Sequence, residues 1–438
     1  MAKITVESRL REVNPDLEVM YFKHYAPDGT LVEQRTASRE VDYAKGNWTR
    51  TSADNGRTWT EWKTDFSDDD GGRHGRLENS PEGDELLGGD FEPSLADPVS
   101  GCRVGVGSSF YYLKGHDIGY FAMWEKGEDN LRAHAYFAFR RPDGTLVRRM
   151  LEFEDGGRDF DPEAPRDPAF IDKNRAMAGD LQILPDGDLA FIVYPTMTLC
   201  CRLAGVDVEQ FFPSCPNLQV GLLFARAHWN ASRQDYDITY SNPVMLSDLQ
   251  SSRGIMEPGV TILNDGRIMI VFRGSNLISE AWNTRISDSA PNFKWHVLSS
   301  DGGKTFCPPM PWHFDSKEVV YSPASISRFY RSSKNGNLYW IGNIIDEPWR
   351  IEGNDPRWPL QICQVDLDRG CLLKDTLTVI DTVRDGQTAV ELSNFGTLEN
   401  RETLDLEMNI TKMNFNGKTE EEGFWYTEAW EYTIRFED

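Results

Sequence analysis

The chain has 438 residues, with 70 acidic side chains against 46 basic ones and a formal charge of −24. That surplus of negative charge excludes a phosphate backbone as a natural partner, because binding one needs a basic stripe and none is visible. No run of about 18 apolar residues is present, so a membrane-crossing helix is excluded as well. The expected partner is a small ligand, with no nucleic acid and no membrane; the oligomeric state stays open.

The first eight residues, Met1 to Ser8, lack the apolar core of a secretory leader. The chain is therefore expected in the cytoplasm, or secreted with a leader already removed. Five turn signatures then punctuate the sequence: Asp28-Gly29, Asp143-Gly144, Asp186-Gly187, Asp265-Gly266 and Asn335-Gly336. Such dipeptides tolerate positive φ at both positions and predict two-residue hairpins. Their flanks are β-branched and aromatic, as in Ala190-Phe191-Ile192-Val193-Tyr194 and Ile268-Met269-Ile270-Val271-Phe272, and no long segment shows helical periodicity. The pattern predicts many short antiparallel strands in a sandwich, barrel or propeller.

Two tracts interrupt the strands. Residues 66–91 shift to Asp, Gly, Glu and Ser, including Asp68-Asp69-Asp70-Gly71-Gly72, and residues 155–172 carry Pro162, Pro165 and Pro168. Both are expected to be loop insertions within one domain spanning 1–438. The acidic tract lacks the alternating spacing of a calcium loop, so a solvated loop is the expectation. Seven cysteines without a CxxC pair predict buried thiols and argue against a disulfide framework. His74, His116, His134, His228, His296 and His313 show no metal-ligand spacing, so neither a metal nor another cofactor is expected.

Two octads, Ser52 to Trp59 and Ser299 to Phe306, both read Ser-x-Asp-x-Gly-x-Thr-aromatic. This motif resembles the Asp-box of the sialidase superfamily of BNR-repeat proteins. The resemblance implies an all-β fold, a six-bladed β-propeller of four-stranded blades, with the chain ends paired to close it. The stretch from Gly423 to Phe436 is the candidate closing strand.

The resemblance extends to Met256-Glu257-Pro258-Gly259 and Phe272-Arg273, on either side of a hairpin. Sialidases carry a glutamate and a triad arginine at these places, which implies a base in Glu257 and a carboxylate clamp in Arg273. After Tyr321-Ser322-Pro323 and the next hairpin, Arg357 matches the third triad arginine, and a structural pairing with Glu352 or Asp355 explains that arginine equally well. Two departures stand against the match. The Arg-Ile-Pro arginine is missing where the first blade reads Val19 to Ala26, and the nucleophilic tyrosine is absent from the stretch around Glu391.

These departures weaken a sialic-acid-cleaving role and leave a glycoside hydrolase acting on an acidic or terminal sugar. Hydrolysis needs two carboxyl groups, here Glu257 and Glu391, with Glu92 in reserve because Phe91-Glu92-Pro93 repeats the local Glu-Pro pattern. Elimination beside a uronate would instead use His24 and Tyr25 as proton carriers. A sugar-binding propeller without turnover is the third reading. Tyr321, Arg273, Arg357 and Glu92 are the candidate substrate contacts, while Arg175 and Arg401-Glu402 read as salt-bridging loop residues.

Overall fold

The computed structural model describes every residue except 1–2, 41–42, 65–82, 116–119, 386, 388–389, 415–425 and 438. His74, His116, the acidic run at 68–72 and the first part of the expected closing strand, 423–425, lie outside the described residues. The strands form six antiparallel sheets of four or five strands, the fold class of a six-bladed β-propeller. The chain divides into two compact units: Met1–Gly72, Pro291–Lys294 and Pro311–Asp438 make the first, and Arg73–Ala290 with Trp295–Met310 the second.

Three sheets belong to the first unit. One is built on Glu18–Tyr25, Leu31–Glu40, Tyr43–Ser52 and Lys63–Thr64. Another runs through Arg328–Arg331, Leu338–Asn343, Leu360–Asp366 and Cys371–Leu372, with Thr378–Asp381 also pairing onto the third of these. The terminal sheet takes Lys3–Asn14 beside Thr427–Glu437, followed by Leu406–Asn414 and Val390–Glu399. Its two end strands pair from Lys3 opposite Glu437 to Asn14 opposite Thr427, so the two ends of the chain share one sheet. Tyr339, Leu392, Met408, Ile434 and Phe436 bury their side chains in this unit's core.

The second unit holds the sheet of Leu131–Arg140, Arg103–Tyr112 and their neighbours, the sheet of Ala176–Ile183, Leu189–Pro195, Leu223–Asn230 and Asp235–Tyr240, and the sheet that opens with Met256–Ile262 and Ile268–Arg273. Phe137, Phe139, Phe191 and Tyr236 interlock in its core at ring-centroid distances between 5.1 and 6.2 Å. Truncating a fully buried ring of this kind costs about 3–5 kcal/mol, because the cavity collapses only in part.

The hairpins depart from the two-residue form that the sequence predicts. At the turn of Asp265 and Gly266, the Leu263 N–H donates to Arg267 O at 2.9 Å and the Gly266 N–H to Leu263 O at 3.0 Å, which encloses three residues. The same pair of bonds recurs around Gly29, Gly144 and Gly187. Only the glycine is left-handed, for example at φ 86° in Gly266, and Asp265 is not. The carboxylate is the reason: Asp265 Oδ1 accepts the Arg267 N–H at 3.1 Å, an Asx turn that holds the aspartate at ordinary φ. Each is a type I turn followed by a glycine bulge.

The tract at 66–91 is a second departure, since its end is a strand: Glu85–Gly88 pairs with Ser109 to Tyr112. The tract at 155–172 is a loop, as expected, anchored by the buried ring of Phe170 and carrying a single turn of helix at Pro168–Ile171. All seven cysteines are free thiols and six are buried; burial holds Cys215 and Cys363 up at about 12. The two octads fold alike. Thr58 and Thr305 each donate N–H and O–H to the aspartate, Asp54 or Asp301, and Ser52 and Ser299 each accept the N–H of the glycine in their own octad.

Candidate functional site

In the second unit, the strand Met256–Ile262 pairs with Ile268–Arg273 through a register shift between Met256 and Gly259. The shift pushes Glu257 out of the ladder into the left-handed region at φ 48°, where a residue with a Cβ is strained. The carboxylate thereby reaches the arginine at the end of the returning strand. Arg273 Nη2 donates to Glu257 Oε1 at 3.0 Å, and Nε lies 2.9 Å from Oε2. Arg273 is 8% exposed and Glu257 34%, so the guanidinium is walled in while its partner is half-buried, with Glu257 Oε2 itself buried. Sequence spacing predicts this pair.

The neighbouring sheet repeats the device with other chemistry, and sequence reasoning misses it. Ala176–Ile183 also slips register, between Gly179 and Gln182, and places Asp180 at φ 59°. Asp180 accepts the Tyr194 hydroxyl at 2.5 Å. Burial and the charges of Asp180 and Glu257 push the Tyr194 phenol well above its ordinary value, so it stays neutral. The missed signal is positional: Tyr194 follows the Asp186-Gly187 turn as Arg273 follows Asp265-Gly266. Arg175, beside this strand, is buried and donates to Asp129, Leu131 O and Asn217 O, the structural role expected of it.

The first unit holds a separate cluster. Arg357 Nη1 donates to Glu391 Oε2 at 2.7 Å, with side-chain exposures of 12% and 17%. The Leu392 N–H donates to Arg357 O at 2.9 Å, which ties the loop to the strand Val390–Glu399. Burial pushes the Glu391 carboxyl above its ordinary 4.5; Arg357 opposes this and Asp355 adds to it. Asp355 is exposed as a residue, yet its carboxyl is desolvated enough to be pushed up too, with Arg357 opposing and Glu352 adding. The backbones of Glu352 and Asp355 exchange hydrogen bonds at 2.9 and 3.0 Å, presenting Asp355 from a tight reversal. Among the described residues Arg357 Nε, a buried atom, has no hydrogen-bond partner.

The other predicted residues make contacts of their own. Tyr25 stands at the turn end of its strand, donating to Asn55 Oδ1 at 2.7 Å and accepting from the Arg401 N–H, and His24 beside it is exposed. Neither touches Arg357 or Glu391, because the strand carries them toward the Asp28-Gly29 turn. Glu92 forms a surface ion pair, its two oxygens 2.6 and 2.7 Å from Arg140. Tyr321 packs its ring on Phe293 at 5.5 Å. Asp355 is the functional candidate that sequence spacing offers only as a partner for Arg357. Among the described residues no group of three or more His, Cys, Asp or Glu is placed to hold a metal ion.

No family model and no curated protein matches the chain. Solved structures do. A Dyadobacter fermentans protein of unknown function aligns over 99% of both chains at 12% identity and a TM-score of 0.49. The NanB sialidase of Streptococcus pneumoniae aligns over 98% of this chain and 70% of its own at 11% identity, TM-score 0.48. An α-L-arabinofuranosidase of Fusarium graminearum aligns over 97% of both at 12% identity, TM-score 0.42. Against a Trypanosoma rangeli sialidase the alignment takes in only 54% of that longer chain.

Proposed function

We propose that the chain is a carbohydrate-active enzyme, a glycoside hydrolase acting on an acidic or terminal sugar. The observation that carries this reading is the Asp355–Arg357–Glu391 cluster: two carboxyl groups raised above their ordinary values, disposed about one arginine. Hydrolysis of a glycosidic bond asks for one carboxyl that keeps its proton and a second that loses it.

Glu391, the more buried, is the acid. It delivers its proton to the glycosidic oxygen as the bond from that oxygen to the anomeric carbon breaks. Asp355, the less buried of the two, is the base: it takes a proton from the water whose oxygen bonds the anomeric carbon. Exchange with solvent then restores both groups. Arg357 keeps Glu391 in place, and its unpartnered Nε is a donor for a sugar oxygen.

The second unit, taken by itself, offers a group suited to an acidic ligand. The planar fork of Arg273 suits a carboxylate, and Glu257, reaching it from a strained bulge, is a partner that a sugar acid can displace. The test is purified protein on a panel of aryl glycosides and acidic oligosaccharides, with products weighed by mass spectrometry. Addition of water, abolished in Glu391→Gln, supports the proposal. A product lighter by water means elimination, and sugar binding with no turnover means a binding propeller; either overturns it.

A further inference from the structure

Within the first unit, a cavity of about 390 Å³ lies between the terminal sheet and the sheet that opens with Glu18–Tyr25. It shares no residue with the Asp355–Arg357–Glu391 cluster. Its charged wall balances, with Arg9, Arg11, Lys23 and Arg50 against Glu7, Glu33, Glu407 and Glu431.

The wall is built, not incidental. Glu33 is fully buried, with Arg11 Nη1 2.5 Å from one oxygen and Arg50 Nε 2.7 Å from the other. Lys23, its side chain 9% exposed, is shared between Glu431 and Glu407, the latter at 3.0 Å. Burial works against the Glu431 charge, yet Lys23, Arg9 and Arg11 hold that carboxyl down at about 2. Donors and acceptors are thus fixed in alternation before any ligand arrives. One aromatic side chain completes the lining: Trp59, with the Arg50 guanidinium 4.5 Å over its ring.

We infer that this cavity is a second ligand site, for a neutral sugar of one or two rings. Charge balance leaves an anion or a cation no net attraction. Fixed donors beside fixed acceptors match vicinal hydroxyls, each of which gives and takes a hydrogen bond. An indole face takes the C–H side of a pyranose ring, and the volume falls in the range of small-ligand pockets. This site stands independently of the hydrolase reading.

Calorimetric titration of the full chain with maltose, cellobiose, lactose and xylobiose tests it. At least one of these is expected to bind, and equally well to Glu391→Gln. Trp59→Ala should weaken that binding more than tenfold. Ser8→Trp, which fills the cavity from an exposed strand position and leaves the ion pairs intact, should do the same, so a failure of the first variant to fold does not spare the proposal. Binding of none of the four sugars overturns the inference, as does binding that survives Ser8→Trp or that vanishes in Glu391→Gln.

Discussion

Two glutamate–arginine pairs, one in each unit, use the same functional groups under different conditions. Glu257 is one-third exposed and reaches Arg273 from a left-handed bulge. Glu391 is more deeply buried, pairs with Arg357 from a strand position at ordinary φ, and has a second carboxyl, Asp355, adding its charge. Burial and a neighbouring acid push the second carboxyl up, as the proposed acid requires, whereas partial exposure and two-point contact suit the first to the proposed exchange of its arginine with a ligand. Environment, not residue type, separates an acid from a clamp.

The largest expected effect is on turnover. Glu391→Gln should lower kcat by about 10²–10⁴-fold, the worth of a positioned proton donor, while Glu257→Gln should leave kcat within a few-fold. Equal losses of kcat in the two variants would break the comparison. Next comes pH. With Glu391 as the proposed acid, pushed above 4.5, the rate should fall as pH rises through its raised value, and that limb should disappear from the residual rate of Glu391→Gln.

Linkage gives the same group a stability signature. The folded chain binds this proton more tightly than the unfolded chain, so the contribution is full below pH 4.5 and is lost as pH rises through the folded value. Denaturant midpoints of the wild type and Glu391→Gln should therefore converge or diverge across that window alone.

A smaller effect sharpens the role of Glu257. Its Gln variant removes the carboxylate that competes for Arg273, so it should tighten the binding of an acidic sugar about tenfold by titration, with little change for a neutral one. Smallest is the backbone term. Glycine and alanine at 257 both remove the ion pair and differ only in how they bear φ 48°, so Glu257→Gly should be about 1 kcal/mol more stable than Glu257→Ala. At 391, inside a strand at ordinary φ, the order should reverse. Thermal unfolding of the four variants checks the sign, and one order at both positions would refute the strain at Glu257.

Much of this was legible before any coordinates. The Asp-Gly turns mark their hairpins because a glycine must bear positive φ there, and Glu257 with Arg273 follows from counting along a strand, a turn and a returning strand. The turn class was not legible, because the aspartate carboxylate satisfies a backbone N–H locally and removes the need for a second left-handed residue. Asp180 and Tyr194 were hidden by the bulge itself: a register slip of this kind leaves no mark in side-chain alternation. Asp355 was hidden because burial in the folded chain is what raises its carboxyl, with Glu352 adding, and spacing along the sequence does not encode burial. His24 and Tyr25 match only by place in the first blade, and their strand carries them to the Asp28-Gly29 turn, where Tyr25 bonds Asn55 and the Arg401 backbone.

The account turns on a protonated carboxyl beside Arg357. Carbon-detected NMR of protein labelled at the glutamate carboxyl carbons, titrated across the acid range, measures that proton directly. The prediction is one resonance with a midpoint clearly above the ordinary 4.5, absent from Glu391→Gln. If every glutamate titrates at or below the ordinary value, or if the high-titrating resonance persists in that variant, Glu391 is not the acid.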